Sequence, residues 1–97
     1  MRIEVIGEDE SSNAQARTYC EYRVFAALAR YTPRVRGARV VLQRDERNGT
    51  CDSVVCAVTV ALEPSGSVRS RSHGQHAYEA INRAVERLGD LMRRPAA

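Results

Sequence analysis

There is no lysine in this chain: all fifteen of its basic residues are arginine. The net charge of +3 therefore rests on forked, planar guanidinium groups, which fit phosphate oxygens and stack on bases better than an ammonium does. A base-composition bias of the genome explains the same fact without any ligand, so composition leaves both readings open. Long apolar runs are also missing. The longest, Val54 to Leu62, is about half of the ~20 residues that a membrane-spanning helix needs. The opening Met1-Arg2-Ile3-Glu4-Val5-Ile6-Gly7 lacks the apolar stretch and small-residue cleavage site of a secretory leader. A cytoplasmic protein without a membrane partner is expected.

Cysteine is scarce and odd in number. Cys20, Cys51 and Cys56 contain no C-x-x-C pair, and the five-residue spacing of Cys51 and Cys56 puts them on opposite faces of a strand. They read as small buried apolar residues. The six glycines are dispersed and build no phosphate cradle, and no nucleophile elbow or dinucleotide fingerprint is present. His73 and His76 share a face only if both are helical, and no third metal ligand lies near them. The chain is not read as an enzyme, and no catalytic residue, metal, cofactor or small-molecule substrate is expected.

What the chain does have is pattern, with 43% hydrophobic and 28% charged residues in the ordinary globular range and a length that suits one domain, 1–97. It is organised around Val68 to Met92, where an alternating strand tail leads through His73-Gly74-Gln75 into a long amphipathic helix. Ala77, Tyr78, Ile81, Ala84, Val85, Leu88, Leu91 and Met92 fall in one arc at helical spacing. The other arc carries Arg83, Arg87 and Arg94, while Arg69 and Arg71 share one face of the preceding strand.

Earlier in the chain, Met1 to Gly7 alternates as a strand. The acidic stretch Glu8 to Ser12 suits a helix start, with Ser11 or Ser12 as its cap. That helix runs to about Tyr31 and is closed by Thr32-Pro33. Its buried face is expected at Phe25 and Leu28, with Ala14, Thr18 and Ala29 or Thr32 around them, leaving Arg23 and Arg30 as an outward row. Ala38 to Arg44 and Thr50 to Leu62 read as strands joined at an Asn48-Gly49 turn, and Glu63-Pro64-Ser65-Gly66 turns the chain into the last strand. The order is β-α-β-β-β-α, an α+β two-layer sandwich with two helices on one face of a four-stranded sheet.

The arginines have a plain explanation as well, since Glu79 to Arg83 and Asp90 to Arg94 are i to i+4 pairs worth ~0.3 to 0.5 kcal/mol each. Yet Arg83 and Arg87 form a like-charge i to i+4 pair, which a sequence tuned only for helix stability avoids.

Tyr78, Ala80, Ile81, Asn82 and Leu88 match the pattern x-x-Y-x-A-I-[DN]-x-x-x-x-x-L. Together with Ala27-Leu28-x-Arg30-Tyr31 and the strand Val40-Val41-Leu42, the segment resembles the ribosome hibernation promoting factor family, also called ribosome-associated inhibitor or sigma-54 modulation proteins. The resemblance covers nearly the whole chain. It implies a fold similar to double-stranded-RNA-binding domains and a non-catalytic protein that occupies the messenger and transfer RNA channel of the small ribosomal subunit in stationary phase or stress. It further implies that Arg23, Arg30, Arg83 and Arg87 face ribosomal RNA. Two lysines often found in the family's first helix fall at Val24 and Ala27 here, and the basic tail of short members shrinks to Arg93-Arg94. The chain ends where long members continue into a dimerising domain, so it is not expected to join two ribosomes through one.

The expectation is a steric block in which the arginine rows of the two helices, Arg23 with Arg30 and Arg83 with Arg87 and Arg94, grip RNA phosphates as one continuous cationic surface, with Arg69, Arg71 and Tyr19 or Tyr22 adding stacking or backbone contacts. Two alternatives stand beside it. One is a protein-interaction module that pairs with a copy of itself through the sheet face bearing Val41, Val55, Ala57 and Thr59. The other is a general RNA-binding domain without ribosome preference.

Overall fold

Alternating β-branched and polar residues put one apolar face on each strand, and two helices cover that face. The computed structural model describes residues 1–7, 13–45 and 53–94. In order these are β1 (Arg2–Gly7), α1 (Ala14–Leu28), a 3₁₀ segment (Ala29–Arg34), β2 (Val35–Asp45), β3 (Ser53–Leu62), β4 (Ser67–Gly74) and α2 (Ala77–Arg93). The strands lie side by side as β1-β2-β3-β4, so β1 and β4 are the edges. β2, β3 and β4 pair antiparallel, with Leu42 opposite Cys56 and Val58 opposite Ser70. β1 runs parallel to β2, with Val5 opposite Val40, which requires a crossover; α1 lies in it.

The expected fold class is therefore observed, with the strands extending beyond their expected ends at Val35, Asp45 and Gly74. The Asn48-Gly49 turn and Cys51 lie outside the described residues. The core is one layer: Val40, Leu42, Cys56, Val58 and Val60 on the sheet meet Cys20, Val24 and Leu28 of α1 and Ile81, Ala84 and Leu88 of α2, all at most 1% exposed. Cys20 and Cys56 are free thiols within it, as their reading as small apolar residues requires. Among the described residues no helix is long and apolar enough to cross a membrane.

The first helix differs from expectation in phase. Its buried stripe is Ala16, Cys20, Val24 and Leu28, and only Leu28 was placed correctly. Phe25 is 55% exposed, and Ala14, Thr18, Ala29 and Thr32 face solvent. Small residues at i, i+4 and i+8 let the helix lie close to the sheet, so packing distance outweighs the single largest apolar side chain. The cap is Asn13, whose Oδ1 accepts from the Ala16 amide at 2.8 Å, rather than Ser11 or Ser12, which lie outside the described residues. The α-helix stops at Leu28 and tightens into the 3₁₀ turn that contains Pro33.

The β4–α2 junction is tightly built. His76 is the N-cap of α2, its Nδ1 accepting from the Glu79 amide at 3.3 Å, while Glu79 Oε1 accepts from the Gln75 amide at 3.0 Å. Gly74 is buried where strand meets helix; a Cβ there would lie 2.4 Å from the Ala80 nitrogen. Further along, buried Ser70 donates through Oγ to the Ala84 carbonyl at 2.8 Å.

Candidate nucleic-acid interface

Residues two apart on a strand share a face, so burial of Ser70 under α2 turns Arg69 and Arg71 to the uncovered face of the sheet. Arg39 joins them from β2: Arg39, Thr59 and Arg69 stand in register across three strands. Arg39 is loosely held by Glu4, 3.9 Å away, whereas Arg69 and Arg71 are exposed and form no ion pair among the described residues. The residues between them are partly covered. Val55 is only 1% exposed, and Val41, Ala57 and Thr59 are half-buried. Near Val55, His73 Nε2 of β4 and Asp45 Oδ2 of β2 meet at 3.1 Å across β3.

On α2 the helical repeat decides where each arginine points. The flank that meets α1 carries Tyr78 and Asn82: Tyr19 donates through its hydroxyl to Asn82 Oδ1 at 2.5 Å, and its ring sits edge-on to Tyr78 with centroids 5.1 Å apart. Tyr19 is thus a strut between the helices and not a stacking platform, while Tyr22 is 68% exposed. Arg83 and Arg87 lie roughly 100° to 140° around the helix from Asn82, on the β4 side. Arg83 donates through Nη1 to the His73 carbonyl at 3.0 Å and lies 3.4 Å from Glu79 Oε1. Arg87 is exposed and has no partner among the described residues. Arg94 stands exposed just past the helix end. Asp90 pairs with Arg93 and not with Arg94, the partner that spacing favoured.

Arg23 and Arg30 are elsewhere. They line a groove of about 450 Å³ between α1, the 3₁₀ turn and the end of α2, and the arginine opposite them is Arg93. The expected continuous surface is therefore not formed. The helices cross on the Asn82 flank, which turns the α2 row away from the α1 row. The seven residues do not stand together: Arg69, Arg71, Arg83 and Arg87 lie around the β4 edge, Arg23 and Arg30 lie in the interhelix groove, and Arg94 stands past the end of α2. Sequence reasoning missed Arg39 and Arg93. The signal for Arg93 was its four- and three-residue spacing with Asn82, Glu86 and Gly89, which places all four on one flank.

Neither histidine forms part of a reactive cluster. His76 caps α2, His73 is paired with Asp45, and among the described residues no group of three or more His, Cys, Asp or Glu could hold a metal ion. The Cys56 thiol is pushed up from its ordinary value, first by its hydrogen bond with Cys20 and then by burial, which keeps it protonated and unreactive.

The family described as Sigma 54 modulation protein / S30EA ribosomal protein matches residues 3–96. In fold the chain is similar to the N-terminal domain of Protein Y from Thermus thermophilus, with a TM-score of 0.77 and 32% identity over 97% of this chain and 98% of that one. It is also similar to a ribosomal subunit interface protein from Coxiella burnetii, with a TM-score of 0.72 over 94% of this chain and 92% of that one; at 14% identity that likeness is one of fold alone. No curated protein matches it.

Proposed function

This chain belongs to the sigma-54 modulation protein / S30EA ribosomal protein family, and on that footing we propose that it is a ribosome-associated inhibitor of translation. Acting as one domain and without catalysis, it lodges in the messenger and transfer RNA channel of the small subunit and holds idle ribosomes by steric block during stationary phase or stress. The observation that carries the RNA-binding part is the β4 edge. Arg69 and Arg71 on one side and Arg87 on the other are exposed and unpaired among the described residues, so their guanidinium groups are available to phosphate oxygens. The family's description as a ribosomal protein supports the ribosomal setting.

The test is a sucrose-gradient profile of stationary-phase lysate probed for this chain, with expected migration in the small-subunit and whole-ribosome fractions. Purified chain should co-sediment with small subunits and be released by salt, with a log-log slope of roughly one per phosphate neutralised. Arg71→Glu combined with Arg87→Glu should abolish co-sedimentation while the circular dichroism spectrum is unchanged. Undiminished binding of that variant removes the mechanism. Equal affinity for an arbitrary RNA duplex would replace it with a general RNA-binding role.

A further inference from the structure

We infer that the chain pairs with a second copy of itself through β1, the two strands joining antiparallel about a two-fold axis at Ile3 and the two α1 helices meeting beside them. β1 is an edge of the sheet, and among the described residues no strand covers its outer side. Such an edge offers a row of main-chain donors and acceptors to any strand that fits. The sequence of β1 fits itself. A two-fold axis perpendicular to the sheet makes one continuous sheet and keeps the helices of both copies on one side, so residues directly opposite must share a face. With Ile3 on the axis, Arg2 stands opposite the second copy's Glu4, Glu4 opposite its Arg2, and Met1 opposite its Val5. Slipping the pairing by two residues puts Arg2 against Arg2 or Glu4 against Glu4, so charge singles out one alignment. Both groups are available for it. Arg2 is exposed and forms no ion pair among the described residues, and the half-exposed Glu4 holds Arg39 only loosely, at 3.9 Å.

The helix side of the same edge is apolar. A groove of about 440 Å³ lies between the start of β1 and α1, lined by Met1, Ile3, Tyr22 and Phe25 together with the polar Thr18 and Glu21. Met1, Tyr22 and Phe25 are three of the four large apolar side chains that the described residues leave exposed, so the unburied apolar surface is gathered at this edge rather than scattered. Ile3 and Val5 point to the same side, half-buried against the core. In the two-fold arrangement each groove faces its own copy, and the aromatic side chains of one α1 cover those of the other. Aromatic anchors with a polar surround are the usual centre of a protein interface. The partner is a second copy and not a foreign chain because β1 itself carries the opposite charges at the required spacing. This surface is neither the open face of the sheet nor the β4 edge, and the inference stands apart from the ribosomal reading.

The experiment is sedimentation equilibrium of the nucleic-acid-free full chain from about 10 μM to about 1 mM, where a reversible monomer–dimer equilibrium is expected. Arg2→Glu and Glu4→Arg each set like charges opposite one another at both crossing points and should raise the dissociation constant about tenfold or more. An equimolar mixture of these two variants should associate again, and so should the chain carrying both changes, because each restores opposite charges across the axis. Phe25→Ala should weaken the dimer while the circular dichroism spectrum is unchanged. Thr59→Glu, on the open face of the sheet, should leave the dissociation constant as it was. A monomer throughout the concentration range overturns the inference, as does a mixture of the two charge variants that fails to associate. Dissociation by Thr59→Glu but not by Glu4→Arg overturns it too, by moving the contact to the open face.

Discussion

Arg83 donates to the main-chain oxygen of His73 at 3.0 Å, while Arg87, one helical turn on, touches no partner among the described residues. Two arginines that look equivalent in the sequence thus have different duties: the first fastens the start of α2 to the end of β4, and the second is free for a ligand.

Substitution should separate them. Arg83→Gln is expected to lower stability by about 0.5 kcal/mol, a small figure because the side chain is exposed. Arg87→Gln should leave the urea midpoint unchanged and weaken co-sedimentation with small subunits. Urea unfolding and gradient sedimentation of both variants check this.

Gly74→Ala should be more disruptive than the same change at Gly37, Gly66 or Gly89. The added methyl would meet the Ala80 nitrogen at 2.4 Å and the Glu79 Cβ at 2.8 Å, so the strand and the first turn of α2 must part. A loss of about 3 kcal/mol or more is expected. Gly66→Ala is the comparison. Nothing lies within 4 Å of its Cβ, but φ is +99°, so only the backbone conformation resists and about 1 kcal/mol is expected. Thermal unfolding ranks the two.

In the first helix, Val24→Ala should cost about 2 kcal/mol because it opens a void beneath α1. Phe25→Ala should cost less than about 1 kcal/mol, although it removes far more side chain, since Phe25 is already half in water. A larger effect at Phe25 than at Val24 in urea unfolding would contradict the observed helix phase.

Glu63 should titrate below the ordinary carboxylate range. Its carboxylate accepts hydrogen bonds from Arg36 at 2.9 and 3.3 Å, and the Arg36 charge adds to their effect. A carboxyl whose pKa is lower in the folded state contributes stability above its unfolded pKa and loses it as pH falls through the folded one. Carbon-detected resonance titration should show the low midpoint, and Arg36→Gln should return it to the usual range. Any stability difference between the two proteins should vanish once acid has protonated Glu63 in both folded and unfolded chains.

Much of the architecture was legible because periodicity is a local property. Alternation in Val54 to Val60 and the 3.6-residue arc from Ala77 to Met92 each name a buried face without reference to anything else in the chain; the strand face holds, and so does the helix arc except that Tyr78 is exposed, Leu91 is half-buried and Ala80 joins the buried side. The first helix was not readable in this way. Its core stripe of Ala16, Cys20 and Val24 is made of small residues whose burial depends on how near the sheet lies, and Phe25 drew the apolar arc to the wrong side.

The sequence by itself determined the order of elements, the family pattern around Tyr78 to Leu88 and the supply of arginine. Only the tertiary structure decided which arginines stand together. A helix presents its side chains all round, and the flank that becomes inward, outward or shared is set by where its neighbour crosses. Here α1 crosses α2 at Asn82, which sends Arg83 and Arg87 to the β4 edge and brings Arg93, eleven residues beyond Asn82, to the groove with Arg23 and Arg30.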